Sequence, residues 1–244
     1  MEPILCHGFP LGSSTGLVAA FEWLRQPYAL CRVDMLADMK SDAFGRLNGR
    51  RETPVLITGD GRILTETMAI AAWLEARDTE RRISFAPGSA AADRMHQLMA
   101  FLNSSFTGAF SPLWAALEMN PPDPAAQGAL RAFGKRVVAK RHADLEAMIA
   151  DTPFLMGEHP TLADAILVGV ARWADFHVAV EMARYPKLAA LGARLDADPA
   201  VRFVRSEEVG EPAQSAGGLV RRIPLTEVLD RFAPDAARAA AAAP

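Results

Sequence analysis

A chain of 244 residues, half of them apolar and 23% charged, is long enough for two ordinary cores and has the balance of a globular protein. Its formal net charge of −3, with no basic block interleaved with aromatics, excludes the surfaces that nucleic acid or anionic membranes select. The only two cysteines, Cys6 and Cys31, are too few for a disulfide scaffold and lie in apolar stretches, where buried reduced thiols are expected. Glu2-Pro3 stands where a signal peptide would need a basic segment, and no apolar run reaches the length of a membrane span. A cytoplasmic location is the expectation.

Taken in order, Pro3 to His7 is an apolar run fit for a buried strand, followed by a small-residue loop from Gly8 to Ser13. A helix is predicted over Ser14 to Arg25, with Leu17, Val18, Phe21 and Leu24 on one face. Tyr28 to Val33 reads as a second strand and Asp38 to Leu47 as a short helix. The clearest β signal comes next: Val55-Leu56-Ile57-Thr58 and Arg62-Ile63-Leu64-Thr65 flank Gly59-Asp60-Gly61 and predict an antiparallel hairpin. Thr65-Glu66-Thr67 then opens a helix bearing Met68, Ile70, Ala71 and Leu74. The order is that of a small mixed sheet with helices on both sides.

After Pro87-Gly88 the pattern becomes helical. Two long stretches, Ala90 to Glu118 and Ala125 to Ala150, are separated by Asn120-Pro121-Pro122-Asp123-Pro124, and shorter helices are predicted near Leu162–Phe176, Lys187–Asp196 and Pro199–Glu207. The boundary falls near residues 78–88, at the charged run Asp78-Thr79-Glu80-Arg81-Arg82. Glu211 to Gly218 reads as a loop, Pro224 to Phe232 as one more helix, and Ala236 to Pro244 as a frayed alanine-rich end.

Four stretches carry chemistry or mark a fold. Pro54, directly ahead of a strand, has no N–H to give the ladder at its own position. At the helix start Glu66-Thr67, the Thr67 hydroxyl and the first free N–H groups suit a carboxylate, although a threonine-capped helix after an ordinary hairpin reads the same way. Thr161-x-x-Asp164 is a capping box ahead of an apolar helix. Arg184-Tyr185-Pro186-Lys187-Leu188 and Asp198-Pro199-Ala200-Val201 each start a helix with proline in its first turn. The last stretch is the loop Pro10-Leu11-Gly12-Ser13-Ser14-Thr15, which offers hydroxyls at the start of the first helix but neither Tyr nor Cys.

In these stretches the chain resembles the cytosolic glutathione transferase family from about Ile4 to Glu208, in a bacterial, serine-like form whose class is not resolved. The resemblance implies a thioredoxin-like glutathione-binding domain over residues 1–80, with a four-stranded mixed sheet. An all-helical domain over residues 88–244 would carry the substrate-pocket wall and a C-terminal extension. It further implies a cis Pro54 and a Thr53 backbone presented to the cysteinyl part of glutathione. Glu66 and Thr67 would hold the γ-glutamyl end. Arg51 is within reach of a glutathione carboxylate, or is an exposed basic side chain and nothing more. Phe110 and Trp114, on the first long helix of the second domain, would wall the pocket for the electrophile. A homodimer, a role in detoxification, and glutathione as co-substrate without a metal complete the expectation; the five histidines show no metal-ligand spacing.

The reaction implied is attack by the thiolate of bound glutathione on a small hydrophobic electrophile. A hydroxyl from Ser13 or Ser14 would favour the thiolate, since a charge-assisted hydrogen bond of about 1.5–3 kcal/mol lowers a thiol pKa by roughly one to two units. Ser13-Ser14-Thr15 as a helix cap alone is the other reading. Gly16 replaces an arginine common in the family's first turn. Two further readings stay open: a transferase-like ligand-binding or protein-interaction module without turnover, and a glutathione-dependent isomerase, lyase or dehalogenase.

Overall fold

The computed structural model describes residues 1–211 and 213–233. The predicted end helix is thus covered, whereas the alanine-rich end lies outside the described residues. By its contacts the chain divides into two compact units: residues 1–79 together with those from 199 onward, and residues 80–198.

The first unit is built on one mixed sheet. Its strands are β1 (Ile4–Phe9), β2 (Tyr28–Asp34), β3 (Val55–Ile57), β4 (Ile63–Thr65) and β5 (Leu219–Arg222), in the order β4-β3-β1-β2-β5. β1 and β2 run parallel, with Cys6 opposite Cys31, while β3 is antiparallel to both β1 and β4. Alternation along the strands sorts the core. Ile4, Cys6, Ala29, Cys31, Val33, Val55 and Ile57 share one face with Phe44 and Leu47 of α2 (Asp42–Leu47) and Val228 of α11 (Leu225–Phe232). On the other face lie α1 (Thr15–Leu24) and α3 (Thr67–Glu75), where Phe21 stacks on Tyr28 at 4.7 Å between ring centres. Both cysteines are free and buried. The Cys6 thiol is pushed well above its ordinary range by its hydrogen bond with Cys31 and by burial, which favours the neutral thiol.

Two features depart from the sequence reading. The sheet has five strands rather than four, because Leu219–Arg222 pairs in parallel with the edge of β2. Its four residues are half-buried to exposed and two are arginines, the composition of a charged edge strand and not of an alternating core strand. By contacts the segment from Pro199, whose helix packs on α1, groups with residues 1–79, while the sequence reading keeps residues 88–244 together.

The second unit holds α4 (Ala90–Ala100), α5 (Ser111–Glu118), α6 (Pro124–Met148), α7 (Leu162–Val170), α8 (Trp173–Phe176) and α9 (Pro186–Ala197). The stretch read as one helix from Ala90 to Glu118 is interrupted by a wider, π-helical segment, Phe101–Phe106, and restarts at Ser111-Pro112. α7 is buried at every position and sits at the centre of this unit. Its start is the expected capping box: Asp164 accepts the Thr161 N–H at 2.8 Å, the Thr161 hydroxyl at 2.9 Å and the Leu155 N–H at 2.9 Å. Glu146 on α6 receives the free N–H groups of Lys187 and Leu188 at the start of α9. No helix among the described residues is long and apolar enough to cross a membrane.

Candidate functional site

The sequence-predicted residues of the first unit gather where β1, β3 and β4 meet the starts of α1 and α3. Cys6 pairs with Val55 and Val55 with Thr65. Continuing the β1–β3 register by two residues sets Gly8 beside Thr53, while the β3–β4 ladder ends at Val55–Thr65, two residues short of Thr67. The approach of Gly8 to Thr53 is close: a Cβ on Gly8 would lie 2.3 Å from the Thr53 hydroxyl oxygen. The Thr53–Pro54 bond is cis, as expected.

α3 begins in an unusual way. Glu66, its cap residue, has φ of 72° and ψ of 126°, and its side chain gives the helix no capping hydrogen bond. A non-glycine residue there costs about 1–3 kcal/mol, a strain that persists at sites where geometry serves a ligand. The turn leaves the first N–H groups of α3 without a side-chain cap, and Thr67 is half-buried beside them. This is an arrangement for an anion. The exposed Glu66 carboxylate pairs with Arg50 at 2.5 Å, and Arg50 also pairs with Glu52. Sequence reasoning missed Arg50 because it singled out Arg51. The Arg51 guanidinium instead turns to the start of α2, where it bonds the Lys40 carbonyl of the preceding turn at 2.9 Å and the Asp42 carboxylate. Arg51 and the Glu66-Thr67 start are therefore not brought together.

The two serines differ sharply. Ser14 is fully buried, and its hydroxyl oxygen accepts the Gly8 N–H at 2.8 Å, which ties the loop back to β1. Ser13 is half-buried, and its hydroxyl meets no hydrogen-bonding partner among the described residues. Gly12 permits this turn, since a Cβ there would sit 2.2 Å from the Gly8 carbonyl oxygen. Leu11, at φ of 57°, gives its N–H to Glu208 of α10 (Pro199–Val209) at 2.6 Å, a long-range tether invisible to local sequence reading.

In the second unit, Phe110 is fully buried in an aromatic cluster. It meets Trp173 edge-on at 5.6 Å and lies within 6.3 Å of Phe106, His142 and His177. Trp114 is half-buried and stacks on the exposed Phe176 at 5.4 Å. Burial lowers the pKa of His177 within this cluster, and of His142, whose Nδ1 donates to the Val138 carbonyl at 2.8 Å. No group of three or more potential metal-ligating side chains occurs among the described residues.

The N-terminal domain of glutathione S-transferase matches residues 14–77, and the C-terminal domain of the same family matches residues 142–195. The chain belongs to the glutathione S-transferase family. It is 23% identical over 183 residues to the glutathione S-transferase GstA of Escherichia coli O157:H7, a match covering 74% of this chain and 87% of the relative. Among solved structures, a glutathione S-transferase from Xylella fastidiosa superposes with a TM-score of 0.75 at 24% identity, covering 86% of this chain and 100% of that one. A glutathione transferase homologue from Sulfitobacter with bound glutathione gives 0.74 at 25% identity, covering 84% and 98%. The thioredoxin-like sheet followed by a helical domain is thus the architecture of this family.

Proposed function

We propose that this chain is a glutathione transferase whose residues 1–80 bind glutathione and whose helical residues from 88 onward wall the electrophile's site. The observation that carries the reading is the start of α3, where a strained Glu66 and an uncapped helix end follow directly on Thr65, the residue paired with Val55 just after the cis Pro54. In this reading the α3 N–H groups and the Thr67 hydroxyl hold the γ-glutamyl carboxylate. Glu66 accepts from the α-amino group, and the Thr53 backbone pairs with the cysteinyl residue. Arg50, already on Glu66, is the nearer basic side chain for the tripeptide, and Arg51 would have to leave Asp42 to help.

Chemistry follows from ionising the thiol. Its proton goes to solvent, the thiolate forms an S–C bond with an electrophilic carbon, and any leaving group departs with its bonding pair. Of the two serines, Ser13 is assigned the thiolate hydrogen bond, and Ser14 the holding of the loop through Gly8. Trp114 and the exposed Phe176 give an apolar surface for the electrophile, with Phe110 packed behind them. Calorimetric titration of glutathione, followed by turnover of a generic aryl halide, tests the reading. Absence of glutathione binding would sink it, and binding without turnover would favour a ligand-binding module.

Ser13→Ala should raise the pKa of bound glutathione by roughly one to two units, with binding nearly unchanged, because most binding energy comes from the peptide ends. Thiolate absorbance against pH is the measurement. Ser14→Ala should lower the melting temperature instead, since it strips the buried Gly8 N–H of its partner. A titration that moves in neither variant leaves activation to the start of α1 alone. The protein is also proposed to be a homodimer, and light scattering that returns the mass of one chain at micromolar concentration would contradict that.

A further inference from the structure

The segment 213–233 follows both stretches that match the family, the second of which ends at residue 195. It is nevertheless closely built into the first unit. Gly218 runs so near β2's entrance that a Cβ would lie 1.9 Å from the Gln26 carbonyl oxygen, and the Tyr28 N–H bonds the Gly218 carbonyl at 3.1 Å. The Ser215 hydroxyl reaches the buried Glu22 carboxylate, which also takes the Tyr28 hydroxyl at 2.6 Å. Arg222 pairs with the buried Glu207. These contacts fix β5, and β5 delivers α11 onto α2.

α2 has little of its own to hold it. It is six residues long, with a serine cap and only Phe44 and Leu47 buried, and so short a helix does not persist without tertiary support. That support comes from the sheet face on one side and from α11 on the other: Val228 is fully buried in the same cluster as Phe44, Leu47 and the strand residues, with Leu225, Leu229 and Phe232 packed against it. Arg46 adds a hydrogen bond to the Ala233 carbonyl at 3.1 Å. Beyond α2 the chain passes directly to the ligand site. The buried Asn48 donates to the Glu52 carbonyl at 2.7 Å and accepts the Arg50 N–H at 3.1 Å, and so shapes the turn that ends on Thr53.

We infer that residues 213–233 are a positioning strap, which acts through α2 and Asn48 to hold the 48–53 turn in its ligand-ready form. This rests on the glutathione site proposed above. The strap touches no ligand; it raises the fraction of molecules whose Arg50 and Thr53 are in place. If that fraction falls to about one tenth without it, apparent affinity falls about tenfold. By reciprocity, glutathione must stabilise the seating of α11.

The test compares the full chain with a chain ending at Glu211 and with full-length Val228→Asp. Glutathione affinity is read by calorimetry and backbone order by amide hydrogen exchange. Both variants should lose about tenfold or more in affinity, with faster exchange in residues 42–53 and β1 protection retained; the truncated chain alone should also exchange faster along the β2 edge that β5 covers. In the full chain, glutathione should slow exchange in α11. Wild-type affinity in a variant whose α2 exchanges faster would overturn the inference. Unchanged α2 exchange would also overturn it, and global unfolding of both variants would reduce the strap to part of the core. Failure of the full chain to bind glutathione sinks the site itself, whereas binding there with indifferent variants sinks only the strap.

Discussion

Replacing Asp164 with alanine should destabilise the fold by about 3–7 kcal/mol. Its carboxylate is fully buried and accepts the N–H groups of Leu155 and Thr161 together with the Thr161 hydroxyl. Removal leaves two buried N–H groups without a partner, at about 1–3 kcal/mol each, and uncaps the helix whose every residue is core, at about 1 kcal/mol more. The same residue predicts a pH dependence. Burial, only partly offset by those hydrogen bonds, raises its pKa from 3.8 to about 6.

The folded state therefore holds this proton more firmly than the unfolded chain. The contribution is fully present below pH 3.8, where both states are protonated, and is lost as pH rises through about 6. At about 1.4 kcal/mol per pH unit, the window is worth roughly 3 kcal/mol. Urea unfolding of wild type and Asp164→Ala at several pH values between 4 and 7 isolates the term. The gap between the two should shrink towards neutrality, and a constant gap would show that the carboxyl titrates as an exposed group does.

The second large effect belongs to the ligand. The double replacement Glu66→Ala and Thr67→Ala should weaken glutathione binding at least tenfold. Two hydrogen bonds to charged groups, at about 1.5–3 kcal/mol each, would amount to about 100-fold or more if fully realised. Arg50→Ala should matter much less, because its ion pairs with Glu52 and Glu66 are solvent-exposed. Glu66→Gly separates function from fold: it relieves the strain at φ of 72° and should keep or raise the melting temperature, yet it removes the carboxylate and lowers affinity. Calorimetry and thermal unfolding on the same samples decide. Affinity unchanged in a folded double variant would remove Glu66 and Thr67 from the site.

The amino-acid sequence carries much of the fold in local signals. The hairpin around Gly59-Asp60-Gly61, the helix starting at Glu66-Thr67 and the Thr161–Asp164 capping box are each written within about ten residues, and each forms where those residues stand. The choice between Ser13 and Ser14 is not legible there. Both are hydroxyls beside the same helix start, and only the folded loop shows that one is spent on Gly8. Arg50 and Arg51 are equally alike in sequence, and the turn at Arg51, with φ of 54°, sends them to different carboxylates.

Local hydrophobic period and capping chemistry thus suffice for four strands and for the capped helix starts, but not for the breaks that divide Ala90–Glu118 and Leu162–Phe176. The fifth strand, the seat of α11 on α2 and the tether from Leu11 to Glu208 arise only when distant segments meet. The strand shows why. A four-residue strand bearing two arginines has no period of its own to announce it, and it exists because β2, far earlier in the chain, offers an unpaired edge. Pairing at that separation is encoded in the fit of two surfaces rather than in either segment.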